Sequence, residues 1–530
     1  MLTLFTVILG AQAVYVPPSH DVYDLLSRFE ARGLLPDYRD AARPLSRLAI
    51  ADHLRTIGEH RDILTTVERE RYEFFLTEFQ YELLTLEGDP EPSETRWHVL
   101  SYPLAEGIMN LDVNFGVATA QRTQGTANHR VQGIRIGGYA YKDLGYAFNL
   151  VDHRETGEGI DRTKMNTREP GVVLSRGFEN SIEYDEVDAQ LSLRLGAVDL
   201  TVGKLKNEWG YGPQGSVIFS PKAPSYAQVL LRFPLSEDVD FVYFHGELNS
   251  DEIDSLRSYT QTYLNSAFTP FRQVDKLKYI AAHQIEISVV RGVDLSLGES
   301  IVYSDRGPLL IYMIPIMFFK AAEHYNRDKD NSQIFGSLDL NVIRNVNAQL
   351  SVFIDEINTD MLTDPYKSRR QLGVSGGIHL YDLPVANMEV VAQYARCNPW
   401  VYNHKYPAVS FANNGYPLGH WIGQNADLLM MELSYRPIRA LKVSAFTEIN
   451  RKGGKADPAI QYTEDGGKLS FLYGPSIEKR TFGLTAWSEP LRDLYLRGFL
   501  RWNTVRDETR TGVDASKSPE FGISAQLGIW

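Results

Sequence analysis

Two hydrophobic rhythms divide this chain. From about residue 107 onward apolar and polar side chains alternate. In NLDVNFGV, Leu111, Val113, Phe115 and Val117 share one face, while Asn110, Asp112, Asn114 and Gly116 share the other. The same period runs through EVDAQLSLRL, VDLSLG, GSLDLNV and VNAQLSVFID. It also runs through the last stretch, where Phe521, Ile523, Ala525, Leu527 and Ile529 alternate with small or polar residues. Successive side chains of a strand point to opposite faces, so each run predicts a strand with one apolar and one polar face.

Residues 20–87 follow a helical period instead. Val22, Leu25, Leu26 and Phe29 make one apolar stripe, with Gly33 placed to end the helix in a left-handed conformation. Ser46 is positioned as the N-cap of a second helix carrying Leu48, Ile50, Ala51, Leu54 and Ile57. Thr65 and Glu68 form a capping-box pattern ahead of a longer helix with Val67, Phe75, Leu76, Phe79, Leu83 and Leu86. The acidic, proline-containing stretch EGDPEPSE, residues 87–94, reads as a linker. The expected organisation is a helical bundle over 14–95 and a β-domain over 96–530.

The connections between strands alternate in length. Eight short turns fall near Lys142-Asp143, Gly196-Ala197, Pro234 to Glu237, Arg291-Gly292, Arg344-Asn345, Leu380 to Ala386, Pro437-Ile438 and Ser488 to Arg492. Nine long loops lie near 122–130, 155–180, 207–225, 247–276, 304–332, 357–369, 396–424, 450–479 and 505–518. Together they imply about eighteen strands, with both ends of the sheet on the short-turn side. Short turns on one side and long loops on the other describe a mainly β fold, a large antiparallel transmembrane β-barrel of the bacterial outer membrane. Closing a barrel removes the unpaired edge that hydrocarbon would not tolerate, so the last strand pairs with the first. Trp530 is out of phase with Phe521 to Ile529 and is expected to point inward. A soluble sandwich or propeller would show short connections on both sides or a repeat of about forty residues, and neither is present.

Composition narrows the partners. A formal net charge of -13 argues against nucleic acid, which recruits basic surfaces. The single cysteine, Cys397, rules out an intramolecular disulfide framework. Residues 1–13 are apolar and end Ala11-Gln12-Ala13, the form of a signal peptide, although no Lys or Arg precedes the apolar run. LLIYMIPIMFF, residues 309–319, is too short to span as a helix and is interrupted by Pro315. It is expected as a buried segment that folds inward in a channel-like barrel.

Catalytic patterns fail on context. Gly373-Val374-Ser375-Gly376-Gly377 matches a nucleophile elbow but lies in or beside a strand, and His60-Arg61-Asp62 lacks the other kinase elements. Asp355 and Glu356 are neighbours on a strand end and face opposite ways. Residues 326–331, NRDKDN, hold too few carboxylates for a calcium loop. No catalytic residue, metal or cofactor is expected. Inward-facing Asp112, Asp188, Arg194, Glu286, Asp339 and Asp355 are expected to line an aqueous lumen. The long loops are dense in aromatics beside amides and hydroxyls: Trp209 and Tyr211; Trp400, Tyr402, His404 and Tyr406; Tyr416, His420 and Trp421. Exposed indole and phenol faces suit the C–H faces of sugar rings, making Trp209, Tyr211, Trp400, Tyr402 and Trp421 candidate polysaccharide-binding residues. An interfacial girdle or loop packing accounts equally well for any one of them.

DVYDLLSRFEARGLL with RPLSRLAIADHL, NEWGYGPQGSVIFSPKAPSY, GESIVYSDRGPLLIYMIPIMFF, DKDNSQIFGSLDL and GYPLGHWIGQNADLLMMELSYRP occur here in that order. In this order they resemble the Wzi-like capsule-assembly family of outer-membrane proteins. The resemblance implies a monomeric barrel of about eighteen strands with a periplasmic helical bundle. It also implies a lectin-like, non-enzymatic role in anchoring or organising capsular or exopolysaccharide. Outer-membrane lipid, lipopolysaccharide and the barrel insertion machinery, which reads a terminal aromatic, are the other expected partners. The competing reading is a diffusion channel.

Overall fold

A computed structural model describes residues 14–87, 96–104, 107–140, 144–212, 214–262, 269–355, 371–455, 457, 460, 469–509 and 516–528. The signal-peptide expectation, the linker over 88–94, the short turn at Lys142-Asp143, the long loop over 357–369 and the phase of Trp530 fall outside these residues.

Eighteen antiparallel strands close into a barrel. In chain order they are β1 (Gly107–Arg122), β2 (Gly125–Ala140), β3 (Leu144–Thr156), β4 (Ser181–Leu195), β5 (Val198–Leu205), β6 (Tyr226–Ser236), β7 (Val239–Ile253), β8 (Asp275–Val290) and β9 (Val293–Ser304). The circuit continues with β10 (Asn331–Ile343), β11 (Val346–Ile354), β12 (Leu372–Tyr381), β13 (Met388–Cys397), β14 (Ala426–Ile438), β15 (Leu441–Lys452), β16 (Ile477–Leu491), β17 (Leu494–Asp507) and β18 (Ser516–Leu527). The seam joins β18 to β1, from Phe521 on Gln121 to Leu527 on Phe115. Below it Leu100–Leu104 folds back on Gly107–Leu111, covering the stretch of β1 that β18 does not reach. Among the described connections, one differs from expectation. β1 and β2 join through the tight turn Thr123-Gln124 rather than a long loop over 122–130, because their ladder extends up to Arg122 on Gly125.

The period of two now has a physical meaning. Phe115, Val117, Leu191, Val202, Leu297 and Ile523 stand outward, each between 49 and 68 % exposed. Asn114, Gln190, Thr201, Ser296 and Gln526, on the alternate positions, are buried inside. An apolar outside around a polar inside is the arrangement hydrocarbon selects, and closing the ladder removes the unpaired sheet edge that hydrocarbon would not tolerate.

Four helices precede the wall: α1 (Val22–Ala31), α2 (Arg47–Gly58), α3 (Thr66–Glu78) and α4 (Gln80–Glu87). Val22, Leu25, Leu26, Phe29, Leu54 and Ile57 are fully buried in their common core. Ser46 caps α2 by accepting from the Ala49 N–H, and the Thr65–Glu68 capping box forms in both directions. This unit sits on the short-turn mouth of the barrel. Arg28 reaches Glu389 at 3.1 Å and Asp382; Arg492 reaches Glu78 at 3.2 Å; Arg39 reaches Asp240 at 2.7 Å. The Asn345 N–H donates to the Ala31 carbonyl at 2.7 Å, and Arg291 donates to the Gly33 carbonyl at 2.8 Å.

LLIYMIPIMFF does not fold inward. Phe241, Tyr243, Ala281, Ile301 and Tyr303 hold outward positions on β7, β8 and β9, yet they are buried because residues 304–330 cover them from outside. The covering segment carries α5 (Phe319–Tyr325) and places Tyr312 and Phe319 against the wall, both fully buried. Burying large apolar side chains is favourable wherever a matching apolar surface exists, and the outside of this wall supplies one.

Candidate functional site

The bore is filled from both ends. Residues 37–46 enter from the short-turn mouth, and the Ala41 N–H donates to inward Glu286 at 2.7 Å. The loop after β5 descends from the opposite mouth. The two meet in a short antiparallel ladder, Ala42 on Trp209 and Arg43 on Glu208, reinforced by the Gly210 N–H donating to the Ala41 carbonyl at 2.7 Å. Higher up, Ser351 Oγ accepts from the Tyr211 N–H at 2.7 Å and Ser375 Oγ donates to the Tyr211 carbonyl at 3.1 Å. Ser375, the serine of the elbow-like motif, is thus a clasp inside the wall.

The loop between β13 and β14 packs onto the first. Tyr402 donates through its hydroxyl to the Val217 carbonyl at 2.6 Å, and its N–H donates to Asp355 at 2.6 Å. The Trp421 indole N–H donates to the Gln214 carbonyl at 2.9 Å, and that of Trp400 to the Asp457 carbonyl at 3.1 Å. Trp400 and Tyr402 hold φ values of 70° and 71°, a left-handed backbone that bulky residues adopt only when their surroundings enforce it.

A third loop, after β3, is tied on by two lysines. Lys164 lies between Glu155 at 2.7 Å and Glu169 at 2.6 Å. Lys222 donates to the carbonyls of Lys164, Thr167 and Glu169 and sits over the Tyr416 ring at 5.3 Å. The Tyr416 hydroxyl donates to the Thr163 carbonyl at 2.7 Å, and a side chain at Gly171 would collide with its ring at 2.5 Å. Ordering a loop residue costs about 1–2 kcal/mol, so loops this long stay docked only through repeated anchors of this kind.

The expectation of exposed aromatic platforms is corrected by this packing. Trp209, Tyr211, Trp400, Tyr402 and Trp421 are only 1, 7, 3, 4 and 6 % exposed. Trp209 meets Phe219 and Phe244 edge-on, with ring centres 5.3 and 5.2 Å apart. The apolar area of the five drives the loops into the bore, while carbonyls satisfy the polar tips of Trp400, Tyr402 and Trp421. For three of the six inward residues the aqueous-lumen expectation is corrected in the same way. Asp112, Asp188, Arg194, Glu286, Asp339 and Asp355 all hold inward register, but Glu286, Asp339 and Asp355 are 0, 1 and 2 % exposed: Glu286 and Asp355 accept N–H groups of the plug, and Asp339 accepts from Asn347 at 2.7 Å. Asp112 accepts from His98 Nδ1 at 2.8 Å and Arg194 pairs with Asp199 at 3.3 Å.

Two of the rings that remain exposed on the long-loop face lie beside cations. Lys405 lies 5.4 Å from the centre of the Tyr406 ring, which is 52 % exposed, and Arg272 lies 5.9 Å from the Tyr259 ring, 46 % exposed. Among the described residues, Glu30, Asp294 and Asp339 are the carboxylates close enough to share a metal, with oxygens within 4.8 Å of one another. Burial, with Asp339, Asp40 and Asp294 adding to it, pushes the Glu30 carboxyl well up, so a shared proton accounts for their approach. Period and spacing gave no sign of Lys222 or Ser351, whose partners are remote in sequence, nor of Lys164, whose partners Glu155 and Glu169 are near in sequence but follow no strand or helix period.

Acid should loosen the plug. Burial, with Arg168 acting in the same sense, pulls the His420 imidazole down to about 3, and burial pulls His404 down to about 4. An undocked loop takes up these protons near pH 6.5, a docked one only below 4, so docking is strongest above about pH 6.5 and weakens as pH falls. Each unit is worth about 1.4 kcal/mol per histidine. Protease resistance of residues 398–425 in detergent solution is expected to collapse towards pH 4, and His420→Phe should flatten that dependence. Unchanged resistance across this range would contradict the assignment.

A closed barrel with an apolar belt and a bore plugged by its own loops and N-terminal segment is an integral β-barrel of the bacterial outer membrane. Within that class, the chain belongs to the family described as capsule assembly protein Wzi, whose model matches residues 179–509. It is similar in fold to Wzi of Escherichia coli, described as an outer-membrane protein involved in group 1 capsule assembly and as a carbohydrate-binding β-barrel. The TM-score is 0.59 at 10 % identity, over 97 % of this chain and 99 % of that one. Weaker likenesses are OccAB2 of Acinetobacter baumannii, with TM-score 0.43 at 10 % identity over 79 % and 97 % of the two chains. OprD of Pseudomonas aeruginosa has TM-score 0.41 at 11 % identity over 79 % and 94 %. No curated protein sequence matches this chain.

Proposed function

We propose that this protein is a non-enzymatic, lectin-like barrel that holds capsular or exopolysaccharide at the cell surface, with its long loops extracellular and its helical unit periplasmic. Family membership supports the role, and the length asymmetry of the connections supports the orientation. The observation that carries the reading is the plugged bore. With Trp209, Tyr211 and Tyr402 filling the interior, the barrel offers a rigid outer surface rather than a passage, which weighs against a diffusion channel. On that surface the Lys405–Tyr406 and Arg272–Tyr259 pairs combine a flat apolar ring with a cation, suited to sugar rings that carry acidic groups. The outward apolar belt fits a monomer surrounded by lipid and delivered by the barrel insertion machinery.

The double variant Tyr259→Ala/Tyr406→Ala is expected to lower polysaccharide retained on whole cells several-fold, while heat-modifiable gel migration shows an unchanged amount of folded barrel. Full retention together with a strong increase in single-channel conductance would favour the channel reading instead.

A further inference from the structure

The segment that covers the outside of the wall is built to stay there. Tyr243 donates through its hydroxyl to the Tyr312 carbonyl at 2.9 Å. Outward-facing Glu299 accepts the Phe319 and Lys320 N–H groups at 2.7 and 3.3 Å, and the Tyr312 hydroxyl donates to Asp330 at 2.6 Å. Its other side is apolar and bare: Leu310 is 79 %, Ile316 81 % and Phe318 57 % exposed. On a protein surrounded by water such a patch would be a liability, but here it continues the lipid-facing belt. Between the segment and the wall runs a groove of about 660 Å³, bounded by Leu191, Val202, Val229 and Tyr279 on the barrel and by Pro308 and Met313 on the segment. Near the return to β10, Arg327 and Lys329 are exposed and form no ion pair among the described residues.

We propose that residues 304–330 and the wall beneath them form a binding site for lipopolysaccharide of the outer leaflet, one acyl chain lying in the groove and headgroup phosphates resting on Arg327 and Lys329. The groove is continuous with the surface that hydrocarbon already covers, so its occupant is an acyl chain. The two free cations lie at the long-loop end, which the proposed orientation turns outward, and they match a head carrying phosphates. The inference rests on that orientation but not on glycan binding by the loops.

The test is native mass spectrometry of the full chain released from detergent, titrated with purified lipid A and, in parallel, phosphatidylglycerol. One molecule of lipid A should be retained with a preference of about tenfold or more. Ala189→Phe/Ala227→Phe, which fills the groove from the wall, should abolish retention, and Arg327→Gln/Lys329→Gln should reduce lipid A to the level of phosphatidylglycerol. Should the filled wall fail to fold, as read by heat-modifiable migration, Met313→Asp places a charge in the groove without altering a strand and should abolish retention equally. Retention that survives Met313→Asp, or equal retention of both lipids by the unaltered chain, would overturn the assignment. Loss of polysaccharide binding in the Tyr259/Tyr406 variant would leave it untouched.

Discussion

Trp209→Ala is expected to cost about 3–5 kcal/mol, the range for truncating a large buried aromatic. The indole is 1 % exposed and packs against Phe219, Phe244 and Phe335, while its backbone carries the ladder to Ala42 and bonds in both directions to Phe219. The loss falls on the plug and not on the wall, whose ladders do not pass through this residue. Planar-bilayer recordings should therefore show a conducting state that the unaltered protein lacks, with gel migration of the folded barrel preserved. A variant as silent electrically as its parent would mean that the loops hold without this core.

Arg28→Met should be as costly at the opposite mouth. The guanidinium is buried among Glu68 at 2.9 Å, Glu389 at 3.1 Å and Asp382. Burial acts to push the Glu68 carboxyl up, yet Arg32 and Arg28 together hold it below its ordinary value. Removing one partner of a buried ion cluster leaves charges uncompensated, at about 3–5 kcal/mol. Limited proteolysis should then cleave within residues 14–87 at rates far above the parent, while conductance stays low because the loops remain docked from the other side. Unaltered cleavage would show that the helices are held by their remaining contacts alone.

The barrel was legible because a strand's inside and outside are written in adjacent residues. Val113 and Phe115 against Asp112 and Asn114 give the faces, and the turns near Gly196, Gly292 and Asn345 mark one rim. Helix starts were legible for the same reason, since Thr65 and Glu68 are three positions apart. The plug was not. Ala42 meets Trp209 and Lys222 meets Lys164 through closure of the whole sheet, and no local period encodes such pairings. An aromatic in a polar loop carries no mark of whether its ring will face solvent or a neighbouring loop, which is why the five candidate rings read as platforms and are buried instead. LLIYMIPIMFF was ambiguous on similar grounds. A run of apolar residues records that it needs cover, not which side of a wall supplies it.

The short ladder between Ala42–Arg43 and Glu208–Trp209 also has a mechanical meaning. It is the joint between material that entered from one mouth and material that entered from the other. A load applied to the outer loops is therefore not borne by their own anchors alone. It passes through backbone hydrogen bonds into residues 37–46, where Arg39 meets the wall directly, and on to the helices, which Arg28 and Arg492 tie to the rim at the opposite mouth. Tension at the surface is shared across the full height of the barrel, as a bolt passing through a plate shares it with the washer beneath.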